Sequence, residues 1–179
     1  RLGYPFCRGR IFDDTETDQG QYNDIQEIFW ATGACMFVRA SLYWQMEGLD
    51  NDFFAHMEEI DLCWRFKNAG YQIYYIGSSE VYHVGGGTLH KSNPRKTFLN
   101  FRNNLILLYK NLPARKVWST LWWRFWLDGI AWWRFLLKGQ QQDAFAITRA
   151  YWQFYRSVSF WRKKRKKVKN FALHPQMFG

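Results

Sequence analysis

The second half of this 179-residue chain has almost no acid. Residues 101–179 hold only Asp128 and Asp143 against 16 Lys and Arg, a net of +14, whereas residues 1–100 hold 13 Asp and Glu against 9 Lys and Arg, a net of −4. A mildly acidic half is thus joined to a strongly basic one, and a basic, aromatic segment takes polyanions as partners, either nucleic acid or an anionic lipid surface. Cysteine is equally scarce. Cys7, Cys35 and Cys63 are an odd number without CxxC spacing, which argues against a disulfide framework or a zinc knuckle and fits a reducing, cytoplasmic setting. No apolar run reaches spanning length unbroken: "VWSTLWWRFWLDGIAWWRFLLKG" is interrupted by Arg124, Asp128 and Arg134, too often for a simple spanning helix. A signal peptide and an initiator Met are both missing, and "RLGYPFCRGRIF" reads as the middle of a longer sequence. Apolar residues are not lacking, and 47% hydrophobic content predicts a folded domain.

Residues 13–24, "DDTETDQGQYND", carry Asp14, Glu16 and Asp18 at the alternate spacing of a calcium loop, but Gly20 falls one place late and the twelfth position is Ile25. A plain surface loop is expected instead. "IFWATGACMFVR" (28–39) reads as a buried strand with close backbone approach at Gly33. Ser41 is a candidate cap for a short helix to about Glu47, and "EGLDNDFF" makes a turn. Ile60, Cys63, Trp64 and Lys67 have the spacing of an amphipathic helix from Met57 to Ala69, ended by Gly70. "YQIYYIG" and "SEVYHV" read as two strands. A further helix starts at Ser92 or Asn93, with Pro94 in its first turn, and stops at Pro113. Beyond it, Lys116, Thr120, Arg124, Asp128, Ala131, Arg134 and Lys138 share one narrow stripe of a helix whose remaining face is Trp and Leu. "DAFAITRAYWQFYRSVSFW" continues as helix into "RKKRKKVK", where seven of eight residues are basic.

Chemistry concentrates in "FFAHMEEIDLCWR" (53–65). Glu58 and Glu59 at a helix start complement the macrodipole, and Asp61 with Arg65 forms an i,i+4 pair. That is one reading of the cluster. The other is a carboxylate rigidly aimed into a cleft, able to accept a proton from a substrate hydroxyl. The order of the longer run decides between them. "TGACMFVRASLYWQMEGLDNDFFAHMEEIDLCWRFKNAGYQIYYIGSSEVYHVGGGT" resembles the C-terminal half of the catalytic domain of family 2 glycosyltransferases, the inverting nucleotide-sugar enzymes of the GT-A fold. Rhamnosyltransferase-like members of bacterial polysaccharide assembly are the most similar. The likeness runs over about residues 28–112 and rests on G-A, G-x-D, E-[DE]-x-D-L-C-x-R and a later His.

The resemblance implies an α/β fold: residues 1–112 as the acceptor-side part of a GT-A, Rossmann-like domain, and residues 113–179 as amphipathic, membrane-associating helices. It makes Glu59 the general base on the acceptor hydroxyl, at a position where many members carry Asp. Glu58 and Asp61 are its acidic flanks, and Arg65 is the partner of Asp61. Gly33 and Ala34 match the family's acceptor-side strand, where small residues leave room for sugar. His83 corresponds to a ligand of the divalent metal, Mg or Mn, that bridges the donor diphosphate. Arg95, Lys96 and Arg102 are candidates for binding diphosphate or the phosphate of a lipid-linked acceptor, against the alternative of a solvated basic face. His56 faces the same region without a motif to support a role. The nucleotide-binding half, with its Asp-x-Asp metal motif, is expected outside these residues, so the chain alone is expected not to transfer sugar.

For residues 113–179, wide Trp, Phe and Leu faces and a terminal polybasic run fit an interfacial membrane anchor better than a nucleic-acid module, which lacks any motif here. Packing as ordinary protein core is the third possibility. The combined expectation is a peripheral enzyme at the cytoplasmic face of a bacterial inner membrane. It would take a nucleotide-sugar donor, a saccharide or lipid-linked acceptor and no nucleic acid. The rival is a non-catalytic fragment that binds membrane surface or nucleic acid.

Overall fold

The computed structural model describes residues 3–11, 14–82 and 93–173. Helices dominate, with two small antiparallel sheets beside them, so the α/β expectation holds in its coarse form. Strands β1 (Arg10–Ile11) and β2 (Asp14–Thr15) pair with each other. Strand β3 (Ile25–Ile28) pairs with β4 (Ile73–Ile76), Ile25 opposite Ile76 and Ile28 opposite Ile73. Gly77 follows β4 where a Cβ would lie 2.0 Å from the Tyr22 carbonyl oxygen, so only glycine lets the two backbones approach this closely.

The strand expected over 28–39 is corrected. Pairing ends at Ile28, and Gly33–Cys35 forms a 3-10 turn capped by Thr32. Among the described residues nothing lies within 4 Å of a Cβ built on Gly33, so its expected close approach is not found there. The strand expected at 79–84 is not formed over 79–82, and the remainder lies outside the described residues. Helix α1 (Ala40–Gln45) begins one residue before Ser41, which therefore sits inside the helix instead of capping it.

Helix α2 (Glu58–Asn68) carries Glu58, Glu59 and Asp61 in its first turn and Arg65 and Lys67 in its last, matching the dipole at both ends. Gly70 follows it at φ +88°, the left-handed C′ position. Helix α3 (Pro94–Asn111) starts at an Asn93 side chain accepting from the Arg95 N–H at 2.9 Å. From Asn103 onward its residues are all buried, the mark of a central helix. Helices α4 (Ala114–Leu137), α5 (Gln141–Arg156) and α6 (Val158–Leu173) surround it. The main core is continuous across residue 112, uniting Phe53 and Ile60 with Leu105–Tyr109, Val117, Leu121, Phe154 and Trp161.

Two features of the helical half differ from expectation. The segment 143–161 is broken at Ser157, whose hydroxyl donates to the Gln153 carbonyl at 2.7 Å and competes with the helical ladder. More consequential is the orientation of α4. The centre of its polar stripe faces inward, with Arg124 and Asp128 buried, while Trp118, Trp122, Trp126, Trp133 and Leu137 are 55–83% exposed. Burial is tolerated because both charges are partnered. Arg124 Nη2 donates to Asp128 Oδ2 at 3.1 Å, Tyr4 and Tyr151 hydroxyls each donate to Asp128 at 2.7 Å, and Arg124 also donates to Asn104 Oδ1. The Trp side chains of that face are thus not part of the chain's own core.

Candidate functional site

The segment leading into α2 is held in an unusual backbone shape. Phe54, His56 and Met57 all have positive φ, at 68°, 70° and 76°, which for non-glycine residues costs on the order of 1–3 kcal/mol each. The compensation comes from α3. Asn103 Nδ2 lies 3.0, 2.8 and 2.8 Å from the carbonyl oxygens of Phe53, Ala55 and His56, and Arg102 Nη2 donates to Phe53 at 2.9 Å. The Arg95 guanidinium sits 4.8 Å over the Phe54 ring. Two of the three basic residues expected to bind phosphate, Arg95 and Arg102, are thereby placed against the loop that aims α2. The third, Lys96, lies near enough to His56 to help hold its imidazole below the ordinary value, an effect dominated by burial.

Glu58 and Glu59 are half-buried, and each has a buried Oε2 without a hydrogen-bond partner among the described residues. His56 Nε2 is in the same condition. Three neighbouring side chains at one helix start thus present unused polar atoms, whereas native structures satisfy most buried polar groups. Burial is the main cause that lifts the Glu59 carboxyl above its usual range, Glu58 adds to it, and the N–H groups of Glu59 and Ile60 oppose it. Such a carboxylate is a better proton acceptor than an exposed one and is free to act.

Asp61 is a different object. It is fully buried and receives Arg65 Nε and Lys110 Nζ at 2.8 Å on Oδ2 and Asn111 Nδ2 at 2.8 Å on Oδ1. Arg65 reaches on to the carbonyl oxygens of Met46 and of Gly48, the latter at 2.7 Å. Both carboxylate oxygens of Asp61 are engaged, so its part is to lock α2 against α3 and the 46–48 turn. Gly33 and Ala34 are exposed on their 3-10 turn, with open space at the Gly33 Cα. The preceding Ala31 N–H donates to Cys63 Sγ at 3.5 Å, one helical turn from Glu59. The open turn and the base candidate therefore share one side of α2. All three cysteines are free, and burial pushes the Cys63 thiol up.

His83 lies outside the described residues. Among the described residues no group of three or more His, Cys, Asp or Glu is placed to hold a metal. An Asp-x-Asp triplet also occurs at Asp50-Asn51-Asp52, where Asp50 is the acid of the G-x-D turn. Its carboxylates are taken by cations. Asp50 pairs with Lys110 at 2.6 Å and with Lys164, and Asp52 also pairs with Lys164. Burial alone would raise the Asp50 carboxyl, but these ammonium groups hold it down at about 2. The residues described do not fit a metal.

Asn103 and Lys110 escaped the sequence reading. The signal was present in the Asn103-Asn104 pair at the head of the apolar run Leu105–Tyr109, since Asn is a weak helix former and holds such a place only through its hydrogen bonds.

Comparison with curated proteins finds likeness over part of the chain. An N-acetylglucosaminyl-diphospho-decaprenol L-rhamnosyltransferase, present in two strains of Mycobacterium tuberculosis, is 41% identical over 56 residues, which are 31% of this chain and 18% of the relative. The rhamnosyltransferase WbbL of Escherichia coli (strain K12) is 29% identical over 109 residues, 61% of this chain and 36% of the relative. The chain thus spans well under half the length of these curated relatives. No protein-family model matches it, and no solved structure does. The partial likenesses relate the chain to glycosyltransferases.

Proposed function

We propose that the chain supplies the acceptor-side part of the catalytic centre of an inverting, family 2 glycosyltransferase of the GT-A fold, with Glu59 as general base. The observation that carries this reading is the Glu59 carboxylate: half-buried, raised in proton affinity, with an unused oxygen, on a helix start braced by Asn103 and Arg102. An acceptor hydroxyl gives its proton to Glu59 while its oxygen forms a bond to the anomeric carbon of the donor. The bond from that carbon to the nucleoside diphosphate breaks, the leaving group departs with the electron pair, and the anomeric configuration inverts. Glu58 keeps the local field negative and disfavours loss of the gained proton to solvent. Lys96 and His56 stand beside Glu58. Donor nucleotide, any divalent metal and its ligand His83 belong to this proposal through the resemblance alone.

The names of the relatives make an L-rhamnosyl group and a lipid-diphosphate-linked saccharide the first donor and acceptor to test. A peripheral place at the cytoplasmic face of a bacterial membrane accords with the exposed Trp face of α4 and the outer cations of α6. No helix among the described residues is long and apolar enough to cross a membrane. The decisive experiment replaces Glu59 with Gln in the complete gene product. Transfer from nucleotide-sugar is expected to fall by about 10²–10⁴-fold, the usual contribution of a positioned base, with nucleotide-sugar binding retained. Unchanged transfer would remove Glu59 from the mechanism.

A further inference from the structure

Helix α5 places Arg149, Trp152, Gln153 and Arg156 at i, i+3, i+4 and i+7, a single outward stripe opposite the buried Ala150 and Phe154. Phe98 of α3 and Ser157 complete the walls of a groove of about 490 Å³. Its cations are arranged on its rings. Arg149 lies 5.4 Å and Arg102 5.5 Å from the Phe98 centroid, and Arg156 lies 4.9 Å from that of Trp152. Among the described residues neither Arg149 nor Arg156 forms an ion pair. The nearby Asp143 accepts from the Thr97 hydroxyl. Two guanidiniums oriented by stacking and left without carboxylates keep N–H donors available for a bidentate anion. Trp152, 61% exposed, offers an apolar wall that a bare inorganic ion does not use.

From these features we propose that the α3–α5 groove binds a phosphate or diphosphate ester carried on an apolar body, with Arg149 and Arg156 on the phosphate and Phe98 and Trp152 on the apolar part. Resting on the glycosyl-transfer reading, the groove holds the phosphate end of the acceptor. Helix α3 links it to the base: Phe98 faces the groove, and Arg102, one turn on, donates to Phe53 at the start of the loop that aims Glu59. An acceptor fixed at its phosphate would thus be tethered to the helix that braces the catalytic loop, which lowers the entropic cost of placing its hydroxyl.

The test is calorimetric binding of monomeric dodecyl phosphate to the full chain, beside inorganic phosphate, vesicles of phosphatidylglycerol and a single-stranded oligonucleotide. Dodecyl phosphate is expected to bind at least tenfold more tightly than inorganic phosphate. The R149Q/R156Q variant should lose about tenfold or more of that affinity, each tenfold being about 1.4 kcal/mol, while still sedimenting with vesicles. Equal dodecyl phosphate binding by the variant, parallel loss of vesicle binding, or a preference for the oligonucleotide would each overturn the site. Both arginines are exposed, and unchanged thermal unfolding of the variant confirms that the fold is intact. In transfer assays R149Q/R156Q should raise KM for a lipid-phosphate acceptor and leave a phosphate-free glycoside acceptor unaffected. If binding behaves as stated and no acceptor is glycosylated, the groove stands and the glycosyl-transfer reading fails; if Glu59 proves essential and dodecyl phosphate binding ignores the arginines, the reverse holds.

Discussion

Glu59 and Asp61 stand two positions apart on α2 and sit in opposite electrostatic conditions. Burial without a compensating cation leaves Glu59 with a raised pKa, so its ionised form costs stability wherever the unfolded chain would be deprotonated. The neutral isostere removes that cost. E59Q is therefore expected to raise the melting temperature at neutral pH, and the gain should vanish as the pH falls below the ordinary glutamate value, where the carboxyl is protonated in both states. Asp61 instead neutralises Arg65 and Lys110 inside the core, and D61A leaves the buried Arg65 without a carboxylate and Lys110 with Asp50 alone, at a cost of about 3–5 kcal/mol. Thermal and urea unfolding across pH 4–8 checks both signs at once. A carboxylate selected only for stability would not gain from loss of its charge, so destabilisation by E59Q at pH 7 would count against the strained-base reading.

At the scale of elements, the loop 53–57 and helix α3 form one device. Three left-handed residues are tolerated because Asn103 and Arg102 gather their neighbouring carbonyls. N103A should cost about 1–3 kcal/mol from buried carbonyls left unsatisfied, measurable by urea unfolding. It should also lower transfer more than E59-independent nucleotide-sugar binding, because the base loses its aim. The parts of this device were unequally legible. The Asn93-Pro94 cap, Gly70 and the 3.6-residue spacing announce α2 and α3 locally, and the i,i+4 distance announces Asp61–Arg65. The clamp joins residues about 50 positions apart, which periodicity cannot reach. Helix α4 shows the other limit. A wheel separates Arg124 and Asp128 from the tryptophans correctly, but which side faces inward depends on Tyr4, Asn104 and Tyr151, three residues remote in sequence that satisfy the buried pair. The strand expected at 28–39 failed similarly: its apolar composition is real, yet among the described residues no partner strand lies beside it beyond Ile28.

At the scale of the whole molecule, the acidic and basic halves meet along α6. Lys164 bridges Asp50 and Asp52, Lys167 pairs with Glu47 at 2.6 Å, and Arg165 is buried against the Tyr109 carbonyl. Part of the polybasic run is thus consumed in closing the protein, whereas Arg162, Lys163, Lys166 and Lys169 remain exposed. Charges already neutralised in an ion pair contribute little to attraction toward an anionic surface, so the outer four should dominate it. At roughly 1 kcal/mol per basic residue near such a surface, replacing all four with Ser should weaken binding to phosphatidylglycerol vesicles by up to about 10³-fold. The exposed tryptophans of α4 act by a different physics. W122S/W126S/W133S should weaken vesicle binding while leaving its salt dependence unchanged, because insertion of rings into the interface is not screened. Co-sedimentation at low and high salt separates the two contributions. A chain indifferent to anionic lipid at both salt concentrations would assign the aromatic face of α4 to a protein partner instead.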